Sequence, residues 1–142
     1  RTAPPPQMST FDAPSRESCV VRRERTNTPL QAFLLLNDPQ YLEAAKHLAL
    51  RTIREGSSTE QARAAHMFRL ATLRSPTEEE LAVLVGVYRN RRDYYQNNPE
   101  LANKLVSATP LSAESAIEEV DLAAWTLVAN VMLNLDEVIS KE

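Results

Sequence analysis

From residue 28 onward, apolar residues recur at intervals of three and four, which is the repeat of an amphipathic helix. The repeat and the starts predict helices over about 29–36, 39–55, 58–74, 75–97, 99–108 and from 112 or 115 to 140. The last is the longest and most regular, so we expect it to form the spine of a bundle. The pattern therefore predicts an all-α helical bundle of about five to six helices.

Residues at the predicted helix starts have the chemistry of caps. Thr28 precedes Pro29, and Gln31 stands where its side chain can return the capping hydrogen bond. Similar starts occur at Asn37-Asp38-Pro39, Ser58-Thr59-Glu60-Gln61, Ser75-Pro76-Thr77-Glu78 and Asn98-Pro99. Gly56 is typical of a residue that ends a helix in the left-handed conformation.

The helical repeat also predicts which residues face the core. The first helix is apolar at Leu30, Phe33, Leu34 and Leu36, and the second places Tyr41, Ala44, Ala45, Leu48 and Ile53 on one face, with Glu43, Lys46 and Arg54 pointing away. The later inward positions are Ala65, Phe68, Ala71 or Thr72, Leu81, Leu84, Val85, Tyr88, Tyr95, Ile117, Val120, Ala124, Val128, Val131, Leu135 and Val138. Trp125 lies one position from this row, so we expect it at the edge of the core.

Residues 1–27 have neither a helical nor an alternating repeat. Pro4-Pro5-Pro6 favours an extended conformation, and Pro14 interrupts the middle of the segment. We therefore interpret residues 1–27 as an extended strap or linker, and residues 28–142 as a single helical domain. The proline-rich start without a methionine is typical of a fragment of a longer protein.

Composition supports this fold class and narrows the function. The 142 residues include only two glycines, whereas a β-sandwich or barrel needs frequent glycine-bearing turns. The sequence contains no run of about 18 apolar residues, which is the length that a helix needs to cross a membrane. Residues 1–28 carry five arginines against three acids, whereas residues 100–142 carry two lysines against eight acids. The arginines favour an acidic partner, but Glu17 and Glu24 interrupt them, so we expect no nucleic-acid binding.

Six candidate functional residues lie in the strap: Asp12, Arg16, Cys19, Arg22, Arg23 and Arg25. One hypothesis is a site whose guanidinium groups bind a carboxylate, sulfate or phosphate ligand, for example on an anionic saccharide. The alternative is a clasp, in which Asp12, Glu17 and Glu24 pair with these arginines and hold the strap in place. Three acids for four local arginines make the clasp the simpler interpretation.

Cys19 is the only cysteine, so the chain has no internal disulfide. Nearby arginines would favour its thiolate, but a thiol catalyst usually needs a histidine, and His47 and His66 both lie in predicted helices. We therefore interpret Cys19 as a partly buried structural residue. The sequence has no spacing typical of a metal site or of covalent haem attachment, so we expect no cofactor in this chain.

Several motifs together resemble one family. They are Met8-x-x-Phe11-Asp12-x-Pro14-x-Arg16-x-x-Cys19-x-x-Arg22-Arg23-x-Arg25-Thr26-Asn27-Thr28-Pro29-Leu30-Gln31-Ala32, Leu35-x-Asn37-Asp38-Pro39, Phe68-Arg69-Leu70-Ala71, Ser75-Pro76-Thr77-x-x-Glu80-Leu81, and Trp125 with Leu133-Asn134-Leu135-Asp136-Glu137. The set is similar to the C-terminal domain of unknown function in large planctomycete cytochrome-like proteins. The chain departs from that pattern at Phe33 and Val138, both of which stay apolar.

The resemblance implies a domain of a larger exported, periplasmic protein. It implies haem only in an upstream domain, and it supplies no catalytic residue. No catalytic constellation is recognisable in the chain itself. We therefore expect an interaction or scaffold domain that contacts upstream domains of the same polypeptide or a partner protein. The alternative is a domain that binds a small anionic ligand, or is catalytic, with its site around Asp12–Arg25.

Overall fold

The structure is a computed structural model that describes residues 6–14, 19, 21, 22, 26, 28–108 and 117–139, with side chains from Met8 onward. These residues form eight helices and no strand: α1 (Pro6–Thr10), α2 (Pro29–Asn37), α3 (Pro39–Glu55), α4 (Glu60–Thr72), α5 (Glu78–Asn97), α6 (Pro99–Ser107), α7 (Glu119–Leu133) and α8 (Asp136–Ile139). The predicted all-α class is confirmed, and α2 to α6 correspond to the first five predicted helices.

Helix α7 is the centre of the bundle. Helices α3, α5 and α6 pack along it, and α2 and α4 make smaller contacts. Ala123, Ala124 and Ala129 are fully buried, and their small side chains let the neighbouring helices approach closely. Trp125 is 0% exposed, so it fills the core and does not lie at its edge as predicted. The central position of α7 follows from a helix that is apolar on nearly every side.

The predicted last helix is divided in two. Helix α7 ends at Leu133, and α8 begins at Asp136 after a tight turn in which the Asn134 N–H donates to the Val131 carbonyl oxygen. Val131, which the repeat placed inward, is 40% exposed. The longest helix is instead α5, with 20 residues. Apolar spacing continues through the turn, so the repeat did not reveal the break.

Two of the predicted caps form as the sequence indicates. Thr28 and Gln31 make a reciprocal capping box at the start of α2. The Asp38 carboxylate accepts a hydrogen bond from the Gln40 N–H at the start of α3. These side chains satisfy backbone donors that have no partner within their helices.

Three other helix ends differ from the prediction. Asn98 precedes α6, but its side chain makes no capping hydrogen bond. Helix α5 begins later than Ser75-Pro76 suggests, because Thr77 is its cap and Glu80 returns the hydrogen bond. Gly56 is not left-handed: its φ is −77° and its ψ is 158°. The left-handed helix end is Leu73 after α4, with φ 64°.

Lys46, predicted to point away from the bundle, lies in the core. It is 1% exposed, and its Nζ donates to the Val106 carbonyl oxygen in the last turn of α6. Burial lowers the pKa of the Lys46 ammonium, and the nearby Glu43 carboxylate opposes that shift. Ala44, which was placed inward, is exposed instead. Helix α3 therefore buries a face rotated from the one that the apolar repeat indicates.

The strap is not wholly irregular, since Pro6–Thr10 forms the short helix α1. The division between a strap at 1–27 and a domain at 28–142 otherwise stays a prediction. Among the described helices, none combines the length and apolar character needed to cross a bilayer.

Candidate functional site

A turn at Asp12 ends α1 and begins the candidate site. The Asp12 and Ala13 N–H groups donate to the carbonyl oxygens of Ser9 and Met8, at 3.3 and 2.9 Å. Asp12 has φ 57°, in the left-handed region that aspartate tolerates better than most residues. The chain therefore reverses direction at the residue that carries the first candidate carboxylate.

The Asp12 carboxylate binds Thr26 and so closes a loop. Thr26 donates its backbone N–H to Asp12 Oδ2 at 2.7 Å. Its hydroxyl lies 2.9 Å from both carboxylate oxygens. We refer to residues 12–26 as the closed loop. It has the length of a compact surface loop whose ends meet, a type of loop that frequently carries function.

Gln31 connects the closed loop to α2. Its side chain is almost fully buried, at 5% exposed. Its Nε2 donates to the Thr10 carbonyl oxygen at 2.7 Å and to the Thr26 hydroxyl at 2.9 Å. Its Oε1 accepts the Thr28 N–H of the capping box. One side chain thus joins α1, the end of the closed loop and the start of α2.

A second contact holds α1 and the closed loop against the bundle. The Phe11 and Tyr41 ring centroids are 6.0 Å apart, with the ring planes tilted by 59°. Aromatic pairs at this separation and tilt attract each other. The base of the closed loop is therefore fixed to both α2 and α3.

The described residues within the closed loop face solvent. Cys19 and Arg22 are exposed, and Val21 is fully exposed. Exposure of Cys19 corrects the interpretation that it is a partly buried structural residue. Arg16, Arg23 and Arg25 lie outside the described residues, so their predicted pairing with acids or convergence on a ligand stays a prediction.

Helix α2 presents an apolar face to solvent beside the closed loop. Leu30, Phe33 and Leu36 are spaced three residues apart and are 59%, 61% and 44% exposed. The buried side chains of α2, Gln31 and Leu35, lie on the opposite face. Helix α2 contains no charged residue. The sequence showed that this helix is apolar, but its exposure depends on how it packs.

A second polar cluster, which the sequence did not reveal, lies between α5 and α7. The Tyr88 hydroxyl donates to Asp121 Oδ1 at 2.8 Å, and Arg92 Nε lies 3.0 Å from the same oxygen. Burial, followed by the Asp121 carboxylate, raises the pKa of Tyr88. Asp121 reads from the sequence as a helix-surface acid. Its only sequence signal is its position four residues before Trp125, on the same helical face.

A third cluster, also missed, fixes α8 to the bundle. Arg74 donates to both carboxylate oxygens of Glu80 and of Glu137, at distances from 2.6 to 2.9 Å. The Arg74 guanidinium also lies 4.6 Å from the centre of the Phe68 ring. Hydrogen bonds from Arg74 lower the pKa of Glu80 to about 2 and also lower that of Glu137. These contacts join the end of α4, the start of α5 and α8.

The described residues include an open depression on the surface of α3. This shallow depression of about 530 Å³ is lined by residues of α3 alone, between 47 and 55. Within the described part of the chain, no three His, Cys, Asp or Glu side chains lie together in a way that could hold a metal ion. Among the described residues, the exposed side chains of α2 and of the closed loop therefore form the surface with the clearest functional character.

Comparison with protein families agrees with part of the resemblance. The family described as "PSD1: Protein of unknown function (DUF1553)" matches residues 1–88. The chain belongs to this family. The match includes α1, the closed loop, α2 and most of α5, whereas the resemblance of the last helix stays a prediction. No curated protein and no solved structure matches the chain.

Proposed function

We propose that this domain is an interaction module of a larger exported protein, and that α2 and the closed loop form its docking surface. The observation that carries the proposal is the exposed apolar face at Leu30, Phe33 and Leu36. A contiguous apolar patch is costly to leave in water, and such patches mark interaction sites. Phe33 is the most exposed of the three, which suits it to insert into a partner.

The attachment of α2 supports this role. The buried Asn130 donates to the Leu35 carbonyl oxygen at 3.2 Å, which ties α2 to the central helix α7. Gln31 fixes the other side of α2 to the closed loop. A partner would therefore meet a surface that is already ordered, so binding costs little conformational entropy on this side.

Charge indicates the chemistry of the partner. Arg22 is exposed in the closed loop, and Arg16, Arg23 and Arg25 belong to the same loop in the sequence. We therefore propose a protein surface with an apolar centre and carboxylates beside it, on an upstream domain of the same polypeptide or on a partner protein. Export to the periplasm is proposed on the resemblance alone, and fractionation of the producing cells tests it.

Site-specific photo-crosslinking in the producing cell tests the docking surface. A photoreactive phenylalanine analogue replaces Phe33 in one variant and Val83 in the control. Val83, on α5, is 64% exposed and is therefore as accessible as Phe33. We expect cross-links from position 33 to a protein surface outside this chain, identified by mass spectrometry, and far fewer from position 83.

Three outcomes would contradict the proposal. Equal yields at positions 33 and 83 would show that exposure alone produces the cross-links. An absence of cross-links at position 33 would show that α2 is not covered. Cross-links that join two identical copies of this chain would assign the surface to self-association.

The closed loop also favours a second candidate function, which is binding of a small anion. Its supporting observation is the exposure of Arg22 and Cys19 on a loop whose base is fixed by Asp12 and Thr26. The test is calorimetric titration with inorganic sulfate and with a sulfated disaccharide. We expect saturable binding that weakens in Arg22→Gln and is retained in Arg91→Gln, an exposed arginine on α5. Equal binding by both variants would exclude the loop as the site.

A further inference from the structure

The interface between α5 and α7 contains two aromatic rings in direct contact. Tyr88 and Trp125 are 2% and 0% exposed. Their ring centroids are 4.3 Å apart, and the ring planes differ by 22°, which is a stacked arrangement. Such contact couples the π electrons of the two rings. Neither ring belongs to the docking surface proposed above.

The polar hydrogens of the two rings have different surroundings. The Tyr88 hydroxyl has a carboxyl oxygen as its acceptor, since it donates to Asp121 Oδ1 at 2.8 Å. The Trp125 Nε1 is buried and has no hydrogen-bond partner among the described residues. Buried polar groups are nearly always paired, and an exception requires an explanation, of which a redox role is one. Within this stack, only the polar hydrogen of Tyr88 therefore has an acceptor among the described residues.

This difference in hydrogen bonding determines which ring would hold the positive charge that remains after one electron is removed. An aromatic ring that loses one electron becomes a strong acid at its O–H or N–H group. The hole is therefore stabilised on the ring whose proton has an acceptor, which here is Tyr88. Trp125 has no acceptor among the described residues, so with these residues alone it can share the hole only as a cation through the stack. Arg92 Nε, 3.0 Å from Asp121 Oδ1, holds the carboxylate in position.

We propose that Tyr88 and Trp125 form a redox-active pair that takes up one oxidising equivalent from a diffusible one-electron oxidant. The oxidant gains one electron. The Tyr88 O–H bond breaks, its proton moves to Asp121 Oδ1, and a neutral tyrosyl radical remains. The Asp121 side chain is 23% exposed, so its proton can exchange with water. The buried Tyr88 ring is shielded from coupling with radicals on other molecules.

Electron paramagnetic resonance after photo-oxidation tests the proposal. The oxidant is the ruthenium(III) tris-bipyridine ion, generated by light with a sacrificial acceptor. The chain has four tyrosines, so Tyr41→Phe, Tyr94→Phe and Tyr95→Phe together leave Tyr88 alone. We expect this triple variant to keep most of the radical signal, and ring-deuterated tyrosine to narrow it. Deuterated tryptophan should leave the spectrum unchanged.

Three single variants identify the roles within the cluster. Tyr88→Phe should lose most of the signal, whereas Tyr95→Phe, which changes another buried tyrosine, should keep it. Asp121→Asn removes the proton acceptor, so the tyrosyl radical should decay faster or give way to a tryptophan signal. If Tyr88→Phe does not fold, the triple variant still shows whether Tyr88 carries the radical. Loss of the signal in the triple variant, or an unchanged radical lifetime in Asp121→Asn, would overturn the proposal.

Discussion

Lys46 Nζ donates to the carbonyl oxygen of Val106 inside the bundle, which joins α3 to the last turn of α6. The carbonyl is one that the helix itself leaves without a partner, and it lies at the negative end of the helix dipole. Burial nevertheless disfavours the charged ammonium, as the lowered pKa of Lys46 shows. The fold therefore gains a connection between two helices and bears the cost of a desolvated cation.

The cost of the buried cation predicts that stability rises with pH. Because the pKa of Lys46 is lower in the folded state than its ordinary value of 10.5, the unfolded chain binds more protons between these two values. The free energy of unfolding should therefore increase as the pH rises through the folded pKa toward 10.5. Urea unfolding from neutral pH to about pH 10 measures this change.

Lys46→Met should remove the increase in the free energy of unfolding at alkaline pH, because methionine keeps a side chain of similar length but carries no charge. Lys104→Met, at an exposed position on α6, is the matched control and should keep the increase. If the free energy of unfolding changed with pH in the same way in Lys46→Met and in the wild-type chain, the burial of a charged Lys46 would be contradicted.

Asp12→Asn should loosen the end of the closed loop. Asparagine tolerates the left-handed backbone of Asp12, but its uncharged amide oxygen accepts the hydrogen bonds from Thr26 more weakly than a carboxylate does. We expect a local loss of about 1 kcal/mol, equivalent to about fivefold faster hydrogen exchange at the Thr26 amide. Exchange measured by NMR tests this. The exposed Asp93→Asn is the control, and unchanged Thr26 protection in Asp12→Asn would rule out the closure.

The two glycines should respond to alanine in opposite directions. Gly86 lies on the exposed face of α5, in the middle of the helix, and a Cβ there would meet no atom within 4 Å. Gly86→Ala should therefore stabilise the fold by roughly 0.5–1 kcal/mol. A Cβ at Gly56 would collide with the Thr52 carbonyl oxygen, so Gly56→Ala should destabilise it. Urea unfolding compares the variants, and a shift in the same direction for both would refute the assignment of these environments.

Arg74→Met should remove an acid-sensitive contribution to stability. The pKa values of Glu80 and Glu137 are lowered in the folded state, that of Glu80 to about 2. This contribution is therefore present above the ordinary carboxyl pKa of 4.5 and is lost as the pH falls toward about 2. At neutral pH the variant should be less stable than the wild-type chain.

The unfolding free energies of the wild-type chain and Arg74→Met should converge in acid, since protonation breaks the same contacts. Arg69→Met, at an exposed position on α4, is the control and should follow the wild-type profile. A constant difference between Arg74→Met and wild type across this range would show that Arg74 acts through packing on Phe68 alone.

The helix starts were predictable because each cap is a local interaction. Thr28 with Gln31, and Asp38, act on N–H groups within three residues of themselves, so spacing in the sequence is sufficient to find them. The errors at Ser75 and Gly56 are of the opposite kind. Several residues there suit a helix end, and neighbouring structure selects one of them.

A ligand site in the closed loop stays a prediction, and the sequence indicated it only as a region. The sequence located the candidate residues between Asp12 and Arg25, but it did not identify Thr26 and Gln31 as partners that close the loop. Threonine and glutamine are common polar residues, and nothing in the sequence predicts that Thr26 contacts Asp12 across 14 residues or that Gln31 contacts Thr26. The exposure of Phe33 was hidden for a similar reason, since an apolar helix looks the same whether a neighbour covers it or not.

By itself, the sequence determined the helical class, the order of the main helices and several of their caps, because these depend on short-range repeats and on hydrogen bonds within one turn. The tertiary structure alone decided that Lys46 is buried, that Asp121 binds Tyr88 and that the face of α2 stays open. These outcomes depend on which helices meet and at what rotation. That is set by the packing of many side chains from distant parts of the chain around α7, and no local repeat contains it.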